Sequence, residues 1–135
     1  MADFIYDLAR EAFLEGGINM ATANIKAVLV DGADYTPSAS TDDFLADIAA
    51  GGRVATSGNL ASKTTTLGVF DAADVTFSTV TGDQSEYIVL YVDTADAATS
   101  ILICKIDTYT GLPVTPNGGN ITVAWPSDTN KIFKL

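Results

Sequence analysis

Apolar residues recur at spacings of three and four between Asp3 and Glu15. Phe4, Ile5, Leu8, Ala9, Ala12 and Phe13 fall on one side, and Asp7, Arg10, Glu11 and Glu15 on the other. This spacing predicts an N-terminal amphipathic helix within residues 1–17, capped by Asp3 and ended by Gly16-Gly17, a pair that tolerates positive φ. Its apolar face could lie on its own sheet or dock on another chain. A second, short helix is predicted over 41–50. Thr41 would cap it, Asp42 and Asp43 would sit in the first turn where the helix dipole favours negative charge, and Phe44, Leu45 and Ile48 would face inward.

The rest of the chain reads as strand and turn. IKAVLVD, from Ile25 to Asp31, is aliphatic and β-branched and stops at Gly32. LGVFDAADVTFSTV holds two short runs, the second with Val75 and Phe77 on one face and Thr76 and Ser78 on the other. In EYIVLYVD neither face is polar, because Tyr87, Val89 and Tyr91 alternate with Ile88, Leu90 and Val92; such a strand belongs in the middle of a sheet, covered on both sides. SILICKID should pair with it as an antiparallel hairpin, placing Leu102, Cys104 and Ile106 on one face. ITVAW turns Ile121, Val123 and Trp125 inward, and KIFKL sets Phe133 and Leu135 on one face. The strands follow one another instead of alternating with helices. The predicted fold is therefore mainly β, an antiparallel β-sandwich or open barrel of about seven strands with the two helices added.

At 135 residues the chain fits one domain, with residues 25–135 as its β part. Its net charge of −10 repels phosphate backbones and anionic lipid, so neither nucleic acid nor a membrane is an expected partner. No apolar run approaches the ~20 residues of a membrane-spanning helix. Asp3 and Asp7 stand where a secretory signal carries basic residues, so synthesis in the cytoplasm is expected. The single cysteine, Cys104, has no second thiol to pair with and reads as a buried, structural residue.

The sequence contains no histidine, which removes the commonest general base and zinc ligand and every Ser-His-Asp or Cys-His arrangement. No enzyme activity, cofactor or metal is expected. Asp31 and Asp34, Asp71 and Asp74, and Asp93 and Asp96 share a spacing of three, and turn carboxylates at that spacing could converge on a hard cation. None sits in a recognised calcium loop, and aspartate also serves turns by accepting nearby backbone amides. Gly16-Gly17, Gly51-Gly52 and Gly118-Gly119 match no phosphate-cradling pattern. Tyr87, Tyr91, Phe77 and Trp125 would form a sugar-stacking platform if exposed together, but at strand spacing they read as core.

The stretch GLPVTPNGGNITVAWP, from Gly111 to Pro126, prepares one strand with two prolines and a glycine pair and then ends it with a third proline. Pro126 deprives that end of a ladder donor, so this reads as an edge strand, a template for contact with another chain. Pro113, Pro116, Asn117, Ile121 and Val123 are the candidate subunit-contact residues.

The order IKAVLVDGADYTPSASTDDFLADI, GGRVATSGNLASKTTTLGVFDAADVTFSTV, EYIVLYVDT, ILICKIDT, ITVAW and NKIFKL, covering Ile25 to Leu135, resembles a family of small structural proteins of tailed bacteriophages. The most specific pieces are Tyr35-Thr36-Pro37 followed by Asp43-Phe44, the run from Phe70 to Thr76, and Tyr91 to Thr94. The resemblance implies a non-catalytic virion component, a capsid decoration or cement protein bound to the major capsid protein or other virion subunits and oligomeric in the particle. Its location would be the virion, after synthesis in the host cytoplasm. A tail or neck component, or a carbohydrate- or receptor-binding β module, is the alternative. The family carries no catalytic motif to transfer.

Overall fold

The computed structural model describes residues 3–135; residues 1 and 2, the start of the expected 1–17 helical segment, lie outside the described residues. The described residues form nine strands and one α-helix: β1 (Phe4–Ile5), α1 (Asp7–Leu14), β2 (Ile25–Val30), β3 (Arg53–Thr56), β4 (Val69–Phe70), β5 (Val75–Phe77), β6 (Tyr87–Val92), β7 (Leu102–Ile106), β8 (Ile121–Val123) and β9 (Phe133–Lys134). A five-stranded sheet runs in the order β1-β7-β6-β2-β3, and two ribbons, β4 with β9 and β5 with β8, stand outside it. All these pairings are antiparallel, so the chain is mainly β as predicted.

β6 is the middle strand for the reason its sequence predicts. Ile88 and Leu90 enter one apolar cluster while Val89 and Tyr91 enter another, so both faces are covered. The first cluster joins Ala27 and Leu29 of β2 to the ribbons through Phe70, Val75, Phe77, Val123 and Trp125. In the second, Tyr35, Leu45 and Ile48 cover Val28, Val30 and Val89. Each such side chain taken fully from water contributes about 1.5–3 kcal/mol, so the core on both sides of one sheet is the main source of order.

Several expectations are corrected. Phe4 and Ile5 are not helical: they pair with Lys105 and Cys104 as an edge strand, and Tyr6 donates its amide to Ile103 O at 3.0 Å. The open edge of β7 claims these backbone groups, a tertiary contact that outweighs weak helical propensity. Tyr6, not Asp3, precedes the first helical residue. Asp3 instead accepts the amides of Asp107 and Thr108, at 2.7 and 3.1 Å, and the Thr108 hydroxyl, which ties β1 to the exit from β7. The helix lies on its own sheet, with Ala9 fully buried and Ala12 and Phe13 packed against the first cluster.

The expected 41–50 helix is replaced by two 3-10 turns, Leu45–Asp47 and Ala50–Gly52. Leu45 N donates to Ser100 O and Ala46 N to Ala97 O, so the backbone groups a helix would pair internally are spent on the neighbouring loop. Asp47 accepts the amides of Asp43 and Phe44, and Asp42 accepts Ser38 N, so Asp42 and Asp43 precede the first 3-10 turn instead of sitting in the first turn of a helix. Leu45 and Ile48 are buried as expected.

On β7, Leu90 faces Cys104 but Tyr91 faces Leu102, so Ile103 is an extra, bulged residue. Cys104 and Ile106 therefore join the first cluster and Leu102 the second, where simple alternation put all three on one face. At the C-terminus Ile132 is the buried residue. Phe133 is half-buried, stacking on Phe70 with ring centroids 5.3 Å apart, and Leu135 is 62% exposed.

Candidate subunit-contact site

The chain leaves β7 at Ile106 and returns at Ile121, and the intervening segment is tied down along its length. Ser85 and Val114 exchange backbone hydrogen bonds of 2.9 and 3.0 Å. Farther along, Gly118 N donates to Val80 O at 2.8 Å and Val80 N to Gly119 O at 2.9 Å. Side chains add two braces: Gln84 Nε2 donates to Thr115 Oγ1 at 3.1 Å, and Asn120 Oδ1 accepts Thr79 N at 2.9 Å. The segment is thus an exposed ridge with a fixed backbone. A surface already ordered in its contact shape loses less conformational freedom on binding.

Pro113 and Asn117 are exposed on this ridge, Pro116 is half-buried, and Ile121 is half-buried against the core. Val123 does not belong with them. It pairs with Val75 and is only 2% exposed, because alternate residues of β8 point to opposite faces and Val123 takes the inner one. The outward residue of β8 is Thr122, whose hydroxyl lies 3.1 Å from that of Thr76 across the ribbon. Among the described strands β8 pairs with β5 alone, so it is an edge strand, as its sequence predicts. Tyr109, Leu112 and Val114 line a cavity of about 90 Å³ together with Ile121 and Val123, and the Tyr109 hydroxyl accepts Ala124 N at 3.1 Å.

The aspartate pairs separate into three fates. Asp71 meets Lys131 Nζ at 2.9 Å, and Asp74 accepts Trp125 N at 3.2 Å. Asp93 pairs with Lys26 at 2.8 Å; that ammonium and the Ala95 amide hold its carboxyl below the usual aspartate value. Asp96 accepts Ala98 N in its own turn. Asp31 and Asp34 do converge, joined by Asp83, with one carboxylate oxygen from each lying within 4.8 Å of the others. Oxygen ligands of this kind suit a hard cation such as calcium. Asp31 is buried and already accepts Ala33 N, whereas Asp34 and Asp83 are exposed. Asp83 was not visible from the sequence, since its approach depends on β2 and β6 being neighbours.

Of the aromatic residues, Phe77, Tyr91 and Trp125 are buried and Tyr87 is half-buried, so they make core and no platform. Trp125 Nε1 donates to Ala73 O at 3.1 Å. A groove of about 430 Å³ beside it is lined by Tyr109, Thr110, Asp128, Asn130 and Lys131, among others. Cys104 is buried, and loss of solvent pushes its thiol up to about 12. Lys105, unmarked in the sequence, is fully buried on β7 with Nζ 2.9 Å from Asp107 Oδ2 and 4.9 Å above the Phe4 ring. Compared with protein-family models and with curated proteins, the chain matches none.

Proposed function

We propose that this chain is a non-catalytic structural subunit of a tailed-bacteriophage particle, a decoration or cement protein that binds the major capsid lattice. The observation that supports the reading is the exposed, braced ridge of residues 110–120, whose shape is set by hydrogen bonds within the chain. The sequence resemblance over Ile25 to Leu135 supplies the kind of partner. In this reading the main sheet and its two ribbons act as the layers of a small sandwich. The fold without disulfides suits assembly in a reducing cytoplasm. A partner that binds only the folded tile then raises its apparent stability by mass action.

Protein stoichiometry in purified particles tests this. Hundreds of copies support a lattice role, about a dozen or fewer would place the chain at a neck or tip, and absence would end the virion reading. An exposed-ridge substitution, Asn117→Lys, should leave the free protein folded and reduce its loading onto particles. A second reading, a glycan-binding β module, draws on the groove beside Tyr109, Asp128 and Asn130. Glycan binding abolished by Tyr109→Ala would favour it.

A further inference from the structure

The chain has six asparagines, and Asn117 alone is followed by glycine; the others precede Met20, Ile25, Leu60, Ile121 and Lys131. A glycine amide nitrogen is unshielded by any Cβ. Once its proton has passed to hydroxide, it can attack Cγ of the preceding carboxamide. The new N–Cγ bond closes a cyclic imide, the Cγ–Nδ2 bond breaks, and ammonia leaves with a proton from water. Water then opens either imide carbonyl, giving aspartate or isoaspartate. Nothing is oxidised or reduced, and water is the only co-reactant.

Two features of the fold favour this step and one restrains it. Asn117 and Gly118 are both exposed. Asn117 Oδ1 accepts Gly119 N at 2.9 Å, which folds the carboxamide back over its own chain and draws electron density from Cγ. Against this, the attacking nitrogen is occupied, since Gly118 N–H donates to Val80 O at 2.8 Å. Val80 N returns a bond to Gly119 O at 2.9 Å, and Val80 itself is buried in the first cluster. While these bonds hold, the Gly118 proton is shielded from hydroxide and the plane of its peptide is fixed.

We propose that Asn117 is a self-modifying residue, converted by water to aspartate and isoaspartate at a rate set by opening of the bonds that tie Gly118 and Gly119 to Val80. Isoaspartate routes the main chain through the side-chain carbon, so the product cannot restore that register. Conversion therefore loosens the ridge and adds a negative charge to it. This holds whatever partner the ridge meets.

The test is timed peptide mapping by mass spectrometry after mildly alkaline incubation of the full chain, native and in urea. Conversion at Asn117 is read against Asn130, which shares its tryptic fragment and is kept in the variant below. Native protein should convert about tenfold or more slowly than the unfolded chain, because reaction waits on local opening. Asn120→Ala removes the brace on Thr79 N; it should stay folded by circular dichroism and convert several-fold faster than wild type when native, but equally fast in urea. Equal native and unfolded rates would overturn the protective role of Val80. An Asn120→Ala rate no higher than wild type would overturn the opening route, and no conversion in urea would remove the site itself.

Discussion

The Tyr6 and Tyr35 hydroxyls lie 2.8 Å apart in the core, and Tyr35 donates to Asp42 Oδ2 at 2.8 Å. Asp42 also accepts Ser38 N, so one carboxylate fastens the 35–42 segment over the second cluster and onto the start of α1. Tyr35→Phe leaves the buried Tyr6 hydroxyl without this neighbour and should cost about 1–3 kcal/mol in urea unfolding. Tyr6→Phe together with Tyr35→Phe should cost less than the sum of the two single changes, because each alone breaks the same bond. Additive costs would mean the hydroxyl pair contributes nothing of its own.

The same pair sets an alkaline limit. Burial pushes both phenols above their ordinary value of 10.0, with Tyr35 raised further by Tyr6 and by the Asp42 charge. The folded state therefore keeps protons that the unfolded chain releases above pH 10. Stability from this source is fully present below pH 10 and is lost as pH rises beyond it. The unfolding midpoint should fall from pH 10 upward, and less steeply when both tyrosines are replaced by phenylalanine.

The central strands were legible because burial on both faces writes itself into consecutive apolar residues, as in IKAVLV and YIVLYV. β1 and β3 were not. Phe4–Ile5 carries too few residues to show a period, and Arg53–Thr56 is strand only because β2 offers it a ladder. The bulge at Ile103 and the failed helix at 41–50 share that cause, since both depend on which neighbour takes the backbone groups. At the candidate contact site Pro113 and Asn117 are exposed, while Val123 is buried, as the inward face read from ITVAW already required and its choice as a contact residue overlooked.

Asp3 should dominate the acid response near the N-terminus. Burial pushes its carboxyl up, but the Thr108 hydroxyl and the Asp107 and Thr108 amides outweigh that and hold it below its ordinary value of 3.8. A depressed folded value contributes stability above pH 3.8 that is lost as pH falls below it. Asp3→Asn should cost about 1–2 kcal/mol at neutral pH and make the fall in stability below pH 4 shallower. An unchanged acid limb in guanidinium titrations would show that Asp3 is not the anchor of β1.

Cys104 should behave as a core residue and not as a reagent. Loss of solvent raises its thiol from 9.0 to about 12, and the thiolate is the reactive form. At pH 8 the folded protein should react with a disulfide-exchange probe only as fast as it unfolds, and promptly in urea. Rapid labelling without denaturant would place Cys104 at an accessible site.

Asp31, Asp34 and Asp83 bring three like charges to one end of β2, with oxygens within 4.8 Å. Unit charges about 5 Å apart in a watery dielectric repel by roughly 1 kcal/mol, and mobile ions screen that repulsion over about 10 Å at moderate salt. Asp31 has a fixed role, since its carboxylate accepts Ala33 N, so Asp83 is the member to neutralise. Asp83→Asn should raise the unfolding free energy in low-salt buffer by about 0.2–1 kcal/mol, the scale of exposed ion pairs, and with it the urea midpoint. The gain should shrink as sodium chloride is added, because screening relieves the wild type more than the variant. A gain independent of salt would trace to packing, and a lower midpoint would mean that Asp83 holds the turn together instead of straining it.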